Sequence, residues 1–373
     1  MKYYIIAGEA SGDLHGSNLM KALKDKDNKA EFRFWGGDLM LNQSSNIAMH
    51  YKDIAFMGFW EVITNLNKIL QNIIFCKNDI LQYQPDTIIF IDYPGFNMRI
   101  AKWAKAKNIF TQYYVSPQIW AWKENRIKSI KRDIDHLYVI LPFEKNFYEE
   151  KHNYKVDFVG HPLIDAINTF QYQDEDTFKF DNQLLDKPII ALLPGSRKQE
   201  IQKMLSIMMQ MATHFKNYQF VIAGAPGLTK KDYQPFLQKD NMRLVENKTY
   251  NLLNIAHAAL VTSGTATLET ALFQIPQVVC YKGNQLSYLI AKRIIKLNYI
   301  SLVNLIMDQE VVKELIQSEF NPTNLKKELN KILDAKRYHE IKKEYSVLKN
   351  KLGDQGASQR TANLIIKRTK SKM

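Results

Sequence analysis

Cysteine is scarce in this chain: Cys76 and Cys280 are the two among 373 residues, far apart and each inside an apolar run. That excludes a disulfide frame and a CxxC site, and the pair reads as reduced, buried thiols. Long apolar runs are missing too. No stretch approaches the roughly 18 residues of a membrane span, and the run after Met1 is too short for a signal peptide, so the expectation is a cytoplasmic protein. The eight histidines contain no HxH or HExxH. Asp-x-Asp pairs recur at 25/27, 133/135 and 174/176, which makes the pattern too common to mark a metal, and none is expected. There is no GxGxxG, because the N-terminal glycines fall at 8, 12 and 16. Zinc knuckles, aromatic RNP-like strands and an RG-rich tail are lacking as well, so nucleic acid is not an expected partner.

What the chain has is apolar mass and positive charge. A hydrophobic fraction of 46% with 12% aromatics supports real cores, and the length suits about two domains. The net charge of +13 is concentrated late: residues 281–373 hold 19 Lys/Arg against 9 Asp/Glu. An anionic partner fits this excess, and so does solubility alone.

At mid-chain, PIIALLPGSRKQEI (188–201) reads as a buried parallel strand, a Pro-Gly stop and a helix start. The turn aims backbone N–H groups outward, the helix start adds partial positive charge, and Gly195, Ser196 and Arg197 suit phosphate oxygens. An ordinary strand-to-helix turn would read the same way. A second turn, Ser263-Gly264-Thr265, follows a strand ending at Thr262, and Glu269 lies one turn into the next helix, where it can accept from ribose hydroxyls. Two such turns favour a nucleotide site.

The N-terminal strand Tyr3–Ala7 ends in GEASGD, which brings Glu9, Ser11, Gly12 and Asp13 to the carboxyl edge of a parallel sheet and suits sugar hydroxyls better than phosphate. Strand Thr87–Ile91 ends in Asp92, either a general base or a cap of the following Pro-Gly turn, and the catalytic candidates are Asp92, Glu9 and Asp13, with the choice of proton acceptor among them open. Residues 56–76 carry a helical apolar stripe richer than one buried face needs, with Phe59, Trp60, Ile63, Leu66, Ile69, Leu70 and Ile73 as the candidate membrane-facing side chains. A basic stretch at 123–132 beside Trp120 and Trp122 suits an anionic surface or a solvated helix. From about residue 309 the pattern reads as helical and basic. Alternating strands and helices imply an α/β fold with two doubly wound parallel sheets. The expected division is a Rossmann-like domain over 1–167, joined by a C-terminal helix near 350–373; a linker over 168–187; and a second Rossmann-like domain over 188–349.

GEASGD, IDYPGFN, SPQIWAW, LPFEK, VGHPL, LPGSR, SGTATLE and SLVNL occur in an order that resembles the lipid-A-disaccharide synthase family almost end to end. The resemblance implies a GT-B glycosyltransferase: two Rossmann-like domains facing a cleft, nucleotide held by the second, no metal, no cofactor, and a last helix crossing back to the first. It implies condensation of UDP-2,3-diacylglucosamine with 2,3-diacylglucosamine 1-phosphate to a β-1,6 disaccharide and UDP, with inversion. Peripheral association with the inner membrane follows from such substrates, and a homodimer is one option. Residue by residue, the family's functional aspartate falls on Asp92, its PGSR arginine on Arg197 and its SLxN asparagine on Asn304, an expected acceptor ligand with Ser11 and Gly12. Gly95 stands where a second Asp is usual, and Val303 where Pro is common. A UDP-sugar epimerase of similar fold and a non-catalytic membrane-surface adaptor are the competing readings.

Overall fold

The computed structural model describes all residues except 55–65, 197, 226–227 and 285–296, and among the described residues the chain divides into two compact units. The first comprises Met1–Asn168 and Leu352–Met373, the second Thr169–Lys351.

The first unit is built on a parallel sheet of β1 (Lys2–Ala7), β2 (Glu31–Gly36), β3 (Ile47–His50), β4 (Thr87–Ile91), β5 (Thr111–Tyr114), β6 (His136–Val139) and β7 (Asp157–Phe158), in the order β3-β2-β1-β4-β5-β6-β7. Strands β1 and β4 are buried throughout, apart from Lys2, which is why they read as continuous apolar runs. The order reverses between β1 and β4, and at such a switch point the loops leaving adjacent strands diverge and open a ligand crevice at the carboxyl edge.

Helix Leu66–Tyr83 packs on this sheet through Ile73, Cys76 and Ile80, with Ile69 against the same core. Its other face keeps Leu70, Ile74, Phe75 and Leu81 exposed. This corrects part of the expected membrane face: Ile73 is core and Ile69 leans on it, because the 3.6-residue period carries them to the sheet side. Phe59, Trp60 and Ile63, and the side chain of Leu66, lie outside the described residues. No described helix is long and apolar enough to cross a membrane.

The last helix, Ala357–Lys372, completes the first unit. Asp165 accepts from its first amides, Gly356 N at 2.6 Å and Ser358 N at 2.9 Å, and Arg360 Nε donates to Val159 O at 2.9 Å. The VGHPL motif is its dock. Gly160 has φ 82°, and a Cβ there would lie 2.6 Å from the Arg360 guanidinium.

The second unit carries β8 (Ile189–Leu193), β9 (Gln219–Gly224), β10 (Met242–Glu246), β11 (Ala256–Thr262), β12 (Gln277–Tyr281) and β13 (Glu314–Ile316), all parallel, in the order β10-β9-β8-β11-β12-β13. The reversal falls between β8 and β11, the two strands that lead into the glycine turns. Two expectations change here. Part of the stretch read as linker is a helix, Glu175–Asp181, capped by Asp174 and buried through Phe178 in the second core. Past residue 309 the chain is not helical throughout, since β13 adds an edge strand beside β12.

Candidate active site

At the carboxyl edge of the first sheet, β4 and β5 both end in left-handed backbone on residues with side chains: Asp92 (φ 45°), Tyr93 (φ 50°) and Val115 (φ 61°). Such positions are costly, most of all for a β-branched valine, and persist only where surrounding bonds hold them. Here the Asp92 carbonyl accepts from Asn97 Nδ2 at 2.7 Å and Tyr113 Oη at 2.5 Å, and Asp92 N donates to Tyr114 O at 3.3 Å. The Asp92 carboxyl meets the backbone amide of Tyr93, next in the chain. The helix Pro94–Ala106 takes Tyr93 as its N-cap, with no side-chain cap bond, so Asp92 stands one residue before the cap.

Burial, with Glu9 beside it, raises the Asp92 carboxyl to about 7, while the Tyr93 amide works against that shift and Glu144 adds to it. A carboxylate poised there takes a proton well at neutral pH. Glu9 is partly buried on the β1 loop, and Ser11 and Gly12 begin the helix Ala10–Lys26, where a Cβ on Gly12 would sit 3.2 Å from Ala7 Cβ. Asp13 is committed elsewhere. Its carboxylate accepts from Gly37 N at 2.7 Å and from Leu39 N and Met40 N at 3.0 Å each, capping the helix Asp38–Leu41. The structure therefore gives Asp13 a helix-capping role and brings Asp92 together with Glu9.

In the second unit, Gly195 (φ 104°) turns the chain after β8, and a Cβ on it would approach Glu200 at 3.1 Å and Thr262 at 3.6 Å, so the two expected nucleotide turns are neighbours. Ser196 is exposed; Arg197 lies outside the described residues. Ser263 Oγ donates to Ile300 O at 2.8 Å, which fixes the second turn while Gly264 and Thr265 stay exposed at the start of helix Thr265–Leu272. A Cβ on Gly264 would meet nothing within 4 Å, so that glycine serves its backbone angle, φ 154°. Glu269 is held by Tyr250 Oη at 2.9 Å, and burial raises its carboxyl.

Asn304 is a correction. It is fully buried, its Nδ2 donates to Val312 O (2.8 Å) and Glu314 Oε1 (2.9 Å), and its Oδ1 accepts from Val311 N (2.9 Å) and Val312 N (3.0 Å). Two donors and two lone pairs are the whole capacity of the amide, so nothing is left for an acceptor sugar. Among the described residues, no group of three His, Cys, Asp or Glu is arranged to hold a metal. The Asp133/Asp135 pair lies at the other end of β6, where Asp135 caps Thr111 and pairs with Lys105, and Asp133 pairs with Arg132.

The model of the lipid-A-disaccharide synthetase family matches residues 3–367. The chain belongs to that family. Lipid-A-disaccharide synthases of Coxiella burnetii and Syntrophus aciditrophicus are each 38% identical, over 90% of both chains in the first case, and over 96% of this chain and 95% of the relative in the second. Among solved structures, a UDP-GlcNAc 2-epimerase from Neisseria meningitidis bound to UDP-GlcNAc superposes with a TM-score of 0.68 at 14% identity, covering 98% of this chain and all of the other. The glycosyltransferase of kitacinnamycin gives 0.66 at 10%, covering 99% and 98%. Epimerase and transferase share the GT-B architecture, so the fold alone does not choose between them. Family membership does: the chain is a glycosyltransferase of lipid A biosynthesis that forms the lipid A disaccharide.

Against the synthase family's usual motifs, the exposed Gly95 leaves room, since a Cβ there would meet nothing within 4 Å, and Val303 is fully buried. Sequence reasoning missed Gly8, Tyr93, Asn97, Tyr113 and Glu144, which shape the Asp92 turn. Only the Asn at the end of IDYPGFN and the Pro-Phe-Glu helix start carried a readable signal.

Proposed function

We propose that the enzyme condenses UDP-2,3-diacylglucosamine with 2,3-diacylglucosamine 1-phosphate, with inversion, to the β-1,6 disaccharide 1-phosphate. The first unit takes the acceptor and the second the UDP-sugar. Asp92 removes the proton from the acceptor 6-hydroxyl as that oxygen bonds to the donor anomeric carbon. The bond from that carbon to the UDP oxygen breaks in the same displacement, UDP leaves with the electron pair, and the proton stays on Asp92. Gly195, Ser196, Arg197 and the amides of Gly264 and Thr265 meet the charge of the departing pyrophosphate, Ser263 fixes the second turn, and Glu269 accepts from the ribose.

The observation that carries the reading is the strained strand end that presents Asp92, with its carboxyl raised to about 7. Glu9 serves by its charge, and Ser11 and Gly12 line the acceptor side. Asp13 and Asn304 drop out of the machinery for the reasons above. Both substrates carry acyl chains, and drawing such a chain out of a bilayer costs about 0.8 kcal/mol per CH₂. We therefore assign the exposed apolar side chains of helix Leu66–Tyr83 to the membrane surface of the inner leaflet.

The test is UDP release with both lipid sugars, in mixed micelles. A synthase releases UDP only when donor and acceptor are both present, and the product carries a β anomeric proton by NMR. UDP-sugar turnover without acceptor would replace the reading with an epimerase, and binding without turnover would replace it with an adaptor.

A further inference from the structure

Glu144 is a buried carboxylate that the proposed chemistry does not use. It stands in the first turn of the helix Pro142–Asn146, which follows β6, and only 1% of it is exposed. Its Oε2 accepts from Leu141 N at 2.9 Å and Ile140 N at 3.1 Å, the glutamate half of a capping box and one amide beyond it. A glutamate that only capped its helix would leave the other oxygen in water. Here Oε1 accepts from Ser116 Oγ and from Trp120 Nε1, the latter at 3.2 Å, both on the loop that leaves β5. The two amides and the indole N–H can only donate, so the ionised form satisfies all of its partners. Burial raises the Glu144 carboxyl, and the bonds from Ser116, Leu141, Ile140 and Trp120 work against that shift.

The loop it grips adjoins Asp92. Tyr114, two residues before Ser116, accepts from the Asp92 amide at 3.3 Å, and the left-handed Val115 lies between them. The grip is reinforced: Tyr148 Oη donates to Pro117 O at 3.3 Å, and the half-buried Trp120 ring stands edge-on to Phe143 at 4.8 Å and 85°.

We infer that Glu144 is a positioning residue of the transferase reaction: through Ser116 and Trp120 it fixes the loop beside Asp92, with the indole as the aromatic wall that aligns the acceptor sugar. This rests on the reading of Asp92 as the base. Its charge has a second effect. Among the described residues, the titratable groups that bear on Asp92 are Glu9 from the β1 loop, Tyr113 from β5 and Glu144 from the helix after β6, with the Tyr93 amide bonded to its carboxyl and Arg126 acting on Tyr113. Glu144 thus joins Glu9 in disfavouring a charged Asp92.

The test compares pH–rate profiles of the full chain, varying 2,3-diacylglucosamine 1-phosphate at saturating donor. Glu144→Gln should lower kcat/KM for the acceptor at least about tenfold, as misalignment does, leave donor KM within about twofold, and move the acid limb to lower pH. Trp120→Phe keeps a ring, deletes the N–H and changes no charge; it should lower acceptor kcat/KM with the limb unmoved. A Glu144→Gln enzyme with an unmoved limb and an equal loss at all pH values has only lost structure, and that overturns the inference. Should Glu144→Gln fail to fold, Trp120→Phe decides: normal melting with unchanged acceptor kcat/KM overturns it. Asp92→Asn separates the two ideas. If its acid limb persists, the base is wrongly assigned, while the acceptor-against-donor split in Trp120→Phe still reports on Glu144.

Discussion

The ring of Tyr93 lies across Gly8: a Cβ on the glycine would stand 2.4 Å from the ring carbons. The β1 loop and the Asp92 turn are thereby locked together, and only a residue without a side chain permits it. Gly8→Ala should cost about 1–3 kcal/mol through overpacking and lower turnover by disturbing Asp92. Gly8→Ala combined with Tyr93→Ala should regain much of that stability, and additive melting losses in the double mutant would dissolve the relationship.

Asp92→Asn should lower kcat by about 10²–10⁴ with UDP affinity unchanged. In the wild type, activity should rise with pH through about 7, because the base works only when deprotonated. Stability runs the other way. A carboxyl raised above its unfolded value binds more protons folded than unfolded, so between about 4 and 7 the native state loses stability as pH rises. Asp92→Asn should therefore melt higher than wild type at pH 8, and the gain should vanish near pH 4. Thermal scans across pH check the sign.

Arg197→Ala should weaken UDP binding by about 1.5–3 kcal/mol, the worth of a charge-assisted hydrogen bond. Glu269→Gln should act on UDP affinity, and Tyr250→Phe, which frees Glu269, should act in the same place. Calorimetric titrations with UDP that do not distinguish these variants from wild type would remove the second-unit site.

On helix Leu66–Tyr83 the two faces should separate cleanly. Replacing Leu70, Ile74 and Phe75 by serine should reduce co-sedimentation with anionic liposomes while leaving melting intact, since all three are exposed. Ile73→Ala should do the opposite and cost about 2–5 kcal/mol, as core truncations do.

Asn304→Ala should behave as a folding mutant. It strands the Val311 and Val312 amides and the Val312 carbonyl, at about 1–3 kcal/mol for each group left unsatisfied. A raised acceptor KM at unchanged melting temperature would return Asn304 to the site.

Much of the scaffold was legible because buried strands announce themselves: Thr87–Ile91, Ile189–Leu193 and Gln277–Tyr281, buried but for the half-buried Tyr281, are the same in sequence and structure. The strand Glu314–Ile316 was not, since three residues between Lys313 and Gln317 hold no period. Site residues divide by the same logic. Asp92 stood out because a carboxylate ends an apolar run. Asp13 and Asn304 misled because a polar side chain in a motif reads alike whether it faces a ligand or a neighbouring backbone. Glu144 was invisible because its partners, Ser116 and Trp120, come together only when β5 and β6 pair.

The final helix gives the protein an order of assembly. Residues 169–351 leave the ribosome before the segment that Asp165 caps and that buries Thr369 against Gln112 at 3.1 Å. The unit whose synthesis starts first is thus the last to close, and until then Gln112 and the Asp165 carboxylate wait in a nascent, unfinished core. A chain cut short near Lys351 would carry a whole second unit and an incomplete first one, and so would be open to quality-control proteolysis.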